Sequence, residues 1–229
     1  MMGKLLSTSI TSPSEFFRLL KASPIGWWIM PLLGILLGAL STGLWFNRVD
    51  LLWYKSVAFP PNLSENAAAA AVADHMLQPG PMVATAVVGG VFAIGLSSVI
   101  LAAYFMLTVR LFRPEQLGFR HWIAFAGWSM LPSNVVALLG LLTLMVGDVR
   151  HAFPGQVDPL ALNFWLNVQD RHMVGLIESV NLSLPLTIAW NAVGLSNWTG
   201  LKMFATTLIA FIPVLVYFGC MLLLSSLNT

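Results

Sequence analysis

One acidic residue, Glu178, lies well inside an apolar run and is the strongest candidate for chemistry in this sequence. A charged side chain at that depth in a membrane is costly, so it needs a proton, water or a partner. On a continuous helix, Asn181 and Pro185 would lie within about 60° of it around the axis. This narrow polar face would line a cavity, carry a proton or dock on another helix. The plainer interpretation is a neutral Glu178 that is hydrogen-bonded to Asn181 or reaches outward to Arg171.

A metal site is the second kind of chemistry that the sequence offers. Histidine and carboxylate side chains bind zinc and other divalent ions, and the polar segments contain several: Asp74, His75, Asp148, His151, Asp158, Asp170 and His172. Their spacing matches no known ligand pattern, and solvated loop residues are the favoured interpretation. No phosphate-binding glycine loop, zinc-protease motif or nucleophile elbow occurs. The sequence therefore predicts no catalytic residues, no metal, no cofactor and no enzymatic activity.

The composition places these residues in a membrane protein. The chain has 229 residues, of which 58% are hydrophobic and 9% charged, whereas soluble domains carry about 25% charged residues. Too little polar surface remains to cover a globule in water, which excludes a soluble enzyme and a disordered regulator. The formal net charge of +2 is too small for a protein that binds nucleic acid. We expect one polytopic domain in contact with the lipid bilayer.

Five apolar runs are long enough to cross a bilayer, which takes about 20 residues of helix. Because irregular backbone is excluded from lipid, we expect each run to be helical. The predicted fold class is an all-α integral membrane protein with five transmembrane helices and an N-terminal interfacial helix. Residues 1–25 would form the cytoplasmic N-terminal segment and residues 26–229 the membrane domain, with spans near 27–46, 82–109, 122–147, 173–195 and 203–224.

The positions of lysine and arginine predict the orientation, since these residues concentrate in cytoplasmic segments. Seven basic residues fall before the first span, between the second and third, and between the fourth and fifth, whereas four fall in the other segments. The N-terminus should therefore be cytoplasmic, and the C-terminus should lie outside.

Residues 12–22 have the pattern of an amphipathic helix at the membrane surface. Ser12, Pro13 and Glu15 form a typical helix start. Apolar and basic side chains then fall on opposite arcs, with Phe16, Phe17 and Leu20 on one and Arg18 and Lys21 on the other. Such a helix can lie in the headgroup layer with its basic face toward anionic lipid. The alternative is that it packs on another subunit or on the protein's own cytoplasmic segments.

Small residues at spacings of four indicate where membrane helices approach closely. Two such rows occur, one in the first span and one in the second: Gly34, Gly38 and Thr42, and Ala86 and Gly90. Pro132 interrupts the third span, and we expect Ser133 or Asn134 to help satisfy the carbonyl groups that it frees.

Three segments resemble the bacterial Yip family of Ypt/Rab-interacting-protein-like membrane domains. They are residues 12–17 (SPSEFF), residues 124–132 (AFAGWSMLP) and residues 188–195 (IAWNAVGL), the last followed by Ser196, Thr199, Gly200, Lys202 and Ala205. Like that family, the sequence places a tryptophan, a glycine-leucine pair and a small basic turn between its last two spans. The resemblance implies a five-span protein of the bacterial inner membrane, without enzymatic activity.

The same resemblance implies partners that are themselves membrane proteins. Some bacterial relatives accompany MacB-like ABC exporters with periplasmic adaptors, and eukaryotic relatives resemble trafficking factors. Our leading hypothesis is an accessory or scaffold subunit of a larger membrane complex, with an ABC exporter as the candidate partner and with self-association left open. The alternatives are a small proton-coupled transporter or channel that uses the Glu178 face, and a membrane-shaping or trafficking-type factor that uses the N-terminal helix.

Overall fold

The computed structural model describes residues 2–58, 71–72, 74–75, 77–112, 117–153, 156, 158–166, 168, 177 and 179–227. No β-strand occurs among the described residues, only an isolated antiparallel bridge between Ala161 and Asn181. The helices, in chain order, are α1 (Met2–Thr11), α2 (Pro13–Ala22), α3 (Ile29–Phe46), α4 (Leu51–Ala58), α5 (Pro79–Phe112), α6 (Phe119–Trp128), α7 (Leu131–Val146), α8 (Leu162–Leu166), α9 (Ser183–Thr199) and α10 (Met203–Leu227).

The helical membrane architecture confirms the predicted fold class. Four described helical stretches are long and apolar enough to cross a bilayer: Ile29–Phe46, Pro79–Phe112, Phe119–Val146 and Met203–Leu223. Large apolar side chains along them are exposed on the protein surface, as a lipid solvent requires. Helix α9 has 17 residues, a length of about 25 Å against a hydrocarbon core of about 30 Å. Its role as a fifth span stays a prediction.

The third predicted span consists of two helices rather than one. Helix α6 ends at Trp128 and α7 begins at Leu131, with Ser129 and Met130 in a turn between them. Pro132 is the second residue of α7, where a missing N–H removes no hydrogen bond within α7 itself, because the first N–H groups of a helix have no partner in it. The proline therefore marks a helix start.

Only the later part of the fourth predicted span is described as one continuous helix, α9. Residues 173–176 and Glu178 lie outside the described residues, and Val180 and Asn181 are not helical. The N–H of Leu162 donates to the carbonyl oxygen of Val180 at 2.8 Å. This pairing separates α9, which begins at Ser183, from the helical residues Ile177 and Ser179.

Packing divides the chain into two compact units, each with its own core. Unit 1 comprises Met1–Leu33, Ala93–Asn134 and Leu182–Thr229. Within it, α2 packs on α1, α6 and α9, and α9 packs on α10. Its buried core is rich in aromatic side chains: Phe16, Phe17, Phe105, Trp122, Phe125, Trp128, Trp190 and Trp198.

Unit 2 comprises Gly34–Phe92 and Val135–Asn181. Its smaller core contains Trp45, Phe46, Val49, Leu77, Leu144 and Val149. The Arg48 guanidinium donates to the carbonyl oxygens of Leu144 and Gly147, at the C-terminal end of α7. A positive charge there satisfies terminal carbonyls and complements the helix dipole.

Candidate functional site

Helix α2 packs on other helices of unit 1 through a cluster of buried aromatic side chains. Ser12 occupies the N-cap of α2 and Pro13 its first position, as predicted, although the Ser12 side chain makes no capping hydrogen bond. Phe16, Phe17 and Leu20 are completely buried. The apolar face of α2 therefore contacts the protein's own helices, which is the alternative arrangement considered for residues 12–22.

An aromatic socket, formed by Phe125, Trp128, Trp190, Gly194 and Trp198, receives the two phenylalanines of α2. Ring centroids of Phe17 lie 4.9 Å from Trp190 and 5.3 Å from Phe125. The ring of Phe16 lies 5.1 Å from that of Trp128. Each aromatic pair contributes about 0.5–1.5 kcal/mol beyond its buried area, so the socket holds α2 firmly.

Gly194 makes room for this packing. A methyl group at that position would lie 2.5 Å from Cε1 of Phe17 and 2.6 Å from Cε2 of Phe125. Both rings are fully buried and cannot retreat without displacing their neighbours. Position 194 therefore requires glycine for steric reasons.

Two hydrogen bonds that run in opposite directions form a clasp between α2 and the end of α9. Lys21 Nζ donates to the carbonyl oxygen of Trp198 at 2.6 Å. The indole nitrogen of Trp198 donates to the carbonyl oxygen of Phe17 at 2.8 Å. Lys21, predicted to face lipid, instead binds the C-terminal turn of a helix, where a cation is favourable.

Arg18 occupies the outer surface of α2. Its side chain is 78% exposed and lies 3.8 Å from the Glu15 carboxylate, one helical turn earlier. An exposed pair of this kind adds little stability. Contact between Arg18 and anionic lipid stays a prediction.

Proline residues free backbone carbonyls, and side chains from other helices satisfy two of them in unit 1. Pro132 has no N–H to offer the carbonyl of Trp128, and the indole of Trp190 donates to that oxygen at 3.2 Å. Ser133 and Asn134 were expected in this role. Asn134 instead donates to the carbonyl of Met30 at 2.8 Å, and Ser133 pairs with a threonine hydroxyl of α9.

The second freed carbonyl lies in α10, where Pro213 interrupts the helix. Pro213 leaves the carbonyl of Ile209 without its helical donor. The hydroxyl of Tyr104, from α5, donates to that oxygen at 2.8 Å. This partly buried hydrogen bond is thus completed by a residue that hydropathy alone did not single out.

The predicted small-residue rows are only partly used within the protein. A methyl group at Gly90 would lie 3.5 Å from Cγ1 of Ile35, so this glycine lies at a contact between α5 and α3 as expected. A methyl group at Gly38 would meet no atom within 4 Å. Gly34, Thr42 and Ala86 are half-buried. Their roles in assembly stay predictions.

The predicted polar face of the fourth span stays a prediction. Glu178 lies outside the described residues, and Asn181 precedes α9 in the bridge with Ala161. Pro185 is the third residue of α9 and is exposed, so it does not kink the middle of a span. The angular argument that grouped these residues requires a helix that continues through positions 180 and 181, and these two residues are not helical.

Asp50 and His151, two polar residues that lie between the spans, stabilise the local structure around them. Oδ1 of Asp50 accepts hydrogen bonds from the N–H groups of Leu52 and Trp53 at the start of α4, at 2.9 and 3.1 Å. Its other oxygen lies 3.5 Å from Nε2 of His151. The Trp53 hydrogen bond is the largest influence that lowers the pKa of Asp50, followed by the Leu52 bond and His151, with partial opposition from burial. Among the described residues no group of three or more His, Cys, Asp or Glu could hold a metal ion.

Comparison with known proteins gives one match. The family model described as the Yip1 domain matches residues 7–224. No curated protein and no solved structure matches the chain. The matched range contains α2, the aromatic socket and every candidate span.

Proposed function

The chain belongs to the Yip1 domain family, and from that premise we propose that it is a non-enzymatic accessory or scaffold subunit of a larger membrane complex. This family consists of multi-pass membrane proteins. A non-enzymatic role fits a chain whose described residues offer packing surfaces rather than reactive groups. The observation that carries the proposal is a row of small residues on α5 that the protein leaves uncovered.

Helix α5 has two rows of small residues on different faces. Gly90, with the half-buried Ala86, faces Ile35 inside unit 2. The second row is exposed at every position and consists of Thr85, Gly89, Ala93 and Ser97. A methyl group at Gly89 would meet no atom within 4 Å. Rows of this type permit close approach of helices in lipid, where no hydrophobic effect drives them together. The second row therefore supports contact with a helix of another membrane protein.

An ABC exporter is the partner class that we propose, on the strength of the family resemblance. The test is purification from native membranes in mild detergent, with identification of the proteins that accompany the chain. We expect subunits of an ABC exporter, and Gly89→Leu should remove them. Val88→Leu is the matched control, since Val88 is 56% exposed on an adjoining face of the same helix. Purification without an exporter subunit would contradict this partner, and undiminished association of Gly89→Leu would contradict the proposed surface.

We also propose that the chain lies in a bacterial inner membrane with its N-terminus in the cytoplasm. The distribution of basic residues among the segments between the spans supports this orientation. Seven lie before the first span, between the second and third, and between the fourth and fifth, whereas four lie in the other segments. Basic residues concentrate on the cytoplasmic side. Reporter fusions after Asp74 and after Ala152 should therefore read outside, and a fusion after Phe112 should read inside. The opposite pattern would overturn the orientation.

A further inference from the structure

The segment between α7 and α9 has an unusual distribution of polar and apolar side chains. In helix α8, Leu162, Phe164, Trp165 and Leu166 are all exposed, Trp165 by 73% of its surface. Asn163, the polar residue among them, is completely buried. A loop in water would have the reverse arrangement, with its asparagine outside and its tryptophan inside.

The polar backbone groups of this segment bind one another. The N–H of Leu160 donates to Oδ1 of Asp158 at 2.9 Å, and the N–H of Ala161 donates to the Asp158 carbonyl at 3.0 Å. The N–H of Leu162 donates to the carbonyl oxygen of Val180, and the N–H of Phe164 donates to the carbonyl oxygen of Ala161 at 3.2 Å. Internal satisfaction of backbone donors is what a low-polarity solvent demands of irregular backbone. The side-chain Nδ2 of Asn163, which is buried inside the protein, has no such partner.

The exposed tryptophan has no donor left to offer. The indole nitrogen of Trp165 donates to the carbonyl oxygen of Pro159 at 3.0 Å. Its exposed ring therefore presents apolar surface without an unsatisfied N–H. Such a ring can enter hydrocarbon at little polar cost.

The segment is attached to α7, which belongs to a helical stretch long and apolar enough to cross a bilayer. A methyl group at Gly140 would lie 3.4 Å from Cγ of Asp158. Gly140 lies six residues before Val146, the last residue of α7, which corresponds to about 9 Å along the helix axis. Beyond it, Leu142, Met145 and Val146 are exposed by 51%, 58% and 85%. The apolar surface of the span thus continues past the level at which Asp158 is fixed.

From these four observations we infer that residues 158–166 are embedded in the lipid of one leaflet, with the side chains of α8 among the acyl chains. The occupant of the exposed face is lipid, because the exposed side chains of α8 are all apolar and the segment is attached to a candidate span. Asp158, the one charged residue among positions 158–166, lies against Gly140.

Spin labels can test this placement in the full-length protein. The single cysteine, Cys220, is first replaced by serine, and a nitroxide is then attached to Trp165→Cys or Leu166→Cys. The protein is reconstituted in vesicles of phosphatidylcholine and phosphatidylglycerol, and the accessibility of each label to oxygen and to a water-soluble nickel chelate is measured. Leu139→Cys, on the exposed surface of α7, is the lipid control, and Asp148→Cys is the water control.

We expect both α8 labels to resemble the Leu139 label, with the ratio of oxygen to nickel accessibility several-fold above that at position 148. A ratio equal to that at position 148 would overturn the inference and make the segment an aqueous loop. Immobile labels that neither reagent reaches would also overturn it, because a protein partner would then cover α8. Leu166→Cys retains the bond between Trp165 and Pro159, so it gives a reading even where Trp165→Cys disturbs the segment. The outcome is independent of whether an ABC exporter is the partner.

Discussion

Lys21 Nζ lies 2.6 Å from the main-chain carbonyl oxygen of Trp198, a residue 177 positions further along the chain. The ammonium group lies at the negative end of the α9 dipole. Trp198 in turn donates its indole N–H to the carbonyl of Phe17. Because the two bonds are separated by one turn of α2, they fix both the position and the rotation of that helix. The N-terminal segment is therefore a folded part of unit 1.

Replacement of Trp198 by phenylalanine tests the clasp. The change keeps an aromatic ring and removes the donor to Phe17, so we expect a loss of about 1–2 kcal/mol of stability. Trypsin should then cleave after Lys21 faster than in the unchanged protein, since α2 leaves its socket more often. Trp28→Phe is the control, because Trp28 is 53% exposed. Equal cleavage rates in the two variants would contradict the clasp.

Gly194→Ala tests the steric requirement of the aromatic socket. The added methyl group would lie 2.5 Å from a ring atom of Phe17, and overpacking of this kind costs about 1–3 kcal/mol. We expect a lower midpoint of thermal unfolding, measured in detergent. Gly89→Ala should be neutral or stabilising by up to about 1 kcal/mol, since its methyl group meets open space and alanine favours a helix. A midpoint for Gly194→Ala at or above that of the unchanged protein would refute the requirement.

A double-mutant cycle tests the role of Tyr104. Tyr104→Phe removes the donor to the Ile209 carbonyl and should cost about 1–3 kcal/mol, because the carbonyl that Pro213 frees is left unpaired. Pro213→Ala restores a helical N–H for the same carbonyl. In the Pro213→Ala variant, Tyr104→Phe should lower the free energy of unfolding by less than half as much as it does in the unchanged protein. Unfolding in graded denaturing detergent gives the stabilities of the unchanged protein, the two single variants and the double variant. If the effects of the two substitutions simply add, the Tyr104 hydroxyl does not compensate for Pro213.

The pKa of Asp50 predicts a pH dependence. Its hydrogen bonds from the N–H groups of Trp53 and Leu52 favour the carboxylate in the folded state, so the folded pKa lies below the ordinary value of 3.8. The stability contribution of the charge is then fully present above the unfolded pKa and is lost as pH falls through the folded one. The substitution Asp50→Asn keeps a capping oxygen that does not titrate, so the thermal midpoint of the unchanged protein should exceed that of this variant at neutral pH. A difference that persists unchanged to about pH 3 would contradict this linkage.

The amphipathic pattern of residues 12–22 predicted the extent of α2 but could not identify what its apolar face contacts. Phe16, Phe17 and Leu20 form the same stripe whether they meet lipid or protein. Gly194 provides the discriminating information, because its missing side chain creates the space for Phe17. That relationship joins residues far apart in the chain, and a single sequence does not express it.

The prolines give a rule that sequence can supply in part. Pro132 and Pro213 identify Trp128 and Ile209 as residues with a freed carbonyl, simply by counting back four positions. The donors that satisfy them, Trp190 and Tyr104, depend on how helices meet. Hydropathy likewise located the apolar run that contains α9 but could not detect the pairing of Leu162 with Val180, which interrupts the helical geometry before Ser183.

The two freed carbonyls set an order for biogenesis. Trp128 is synthesised before its donor Trp190, which follows 62 residues later, whereas Ile209 is made after its donor Tyr104, 105 residues upstream. A backbone carbonyl without a partner is costly in lipid. The junction of α6 and α7 must therefore stay hydrated or held by the insertion machinery until α9 emerges, while α10 enters against a donor already in place.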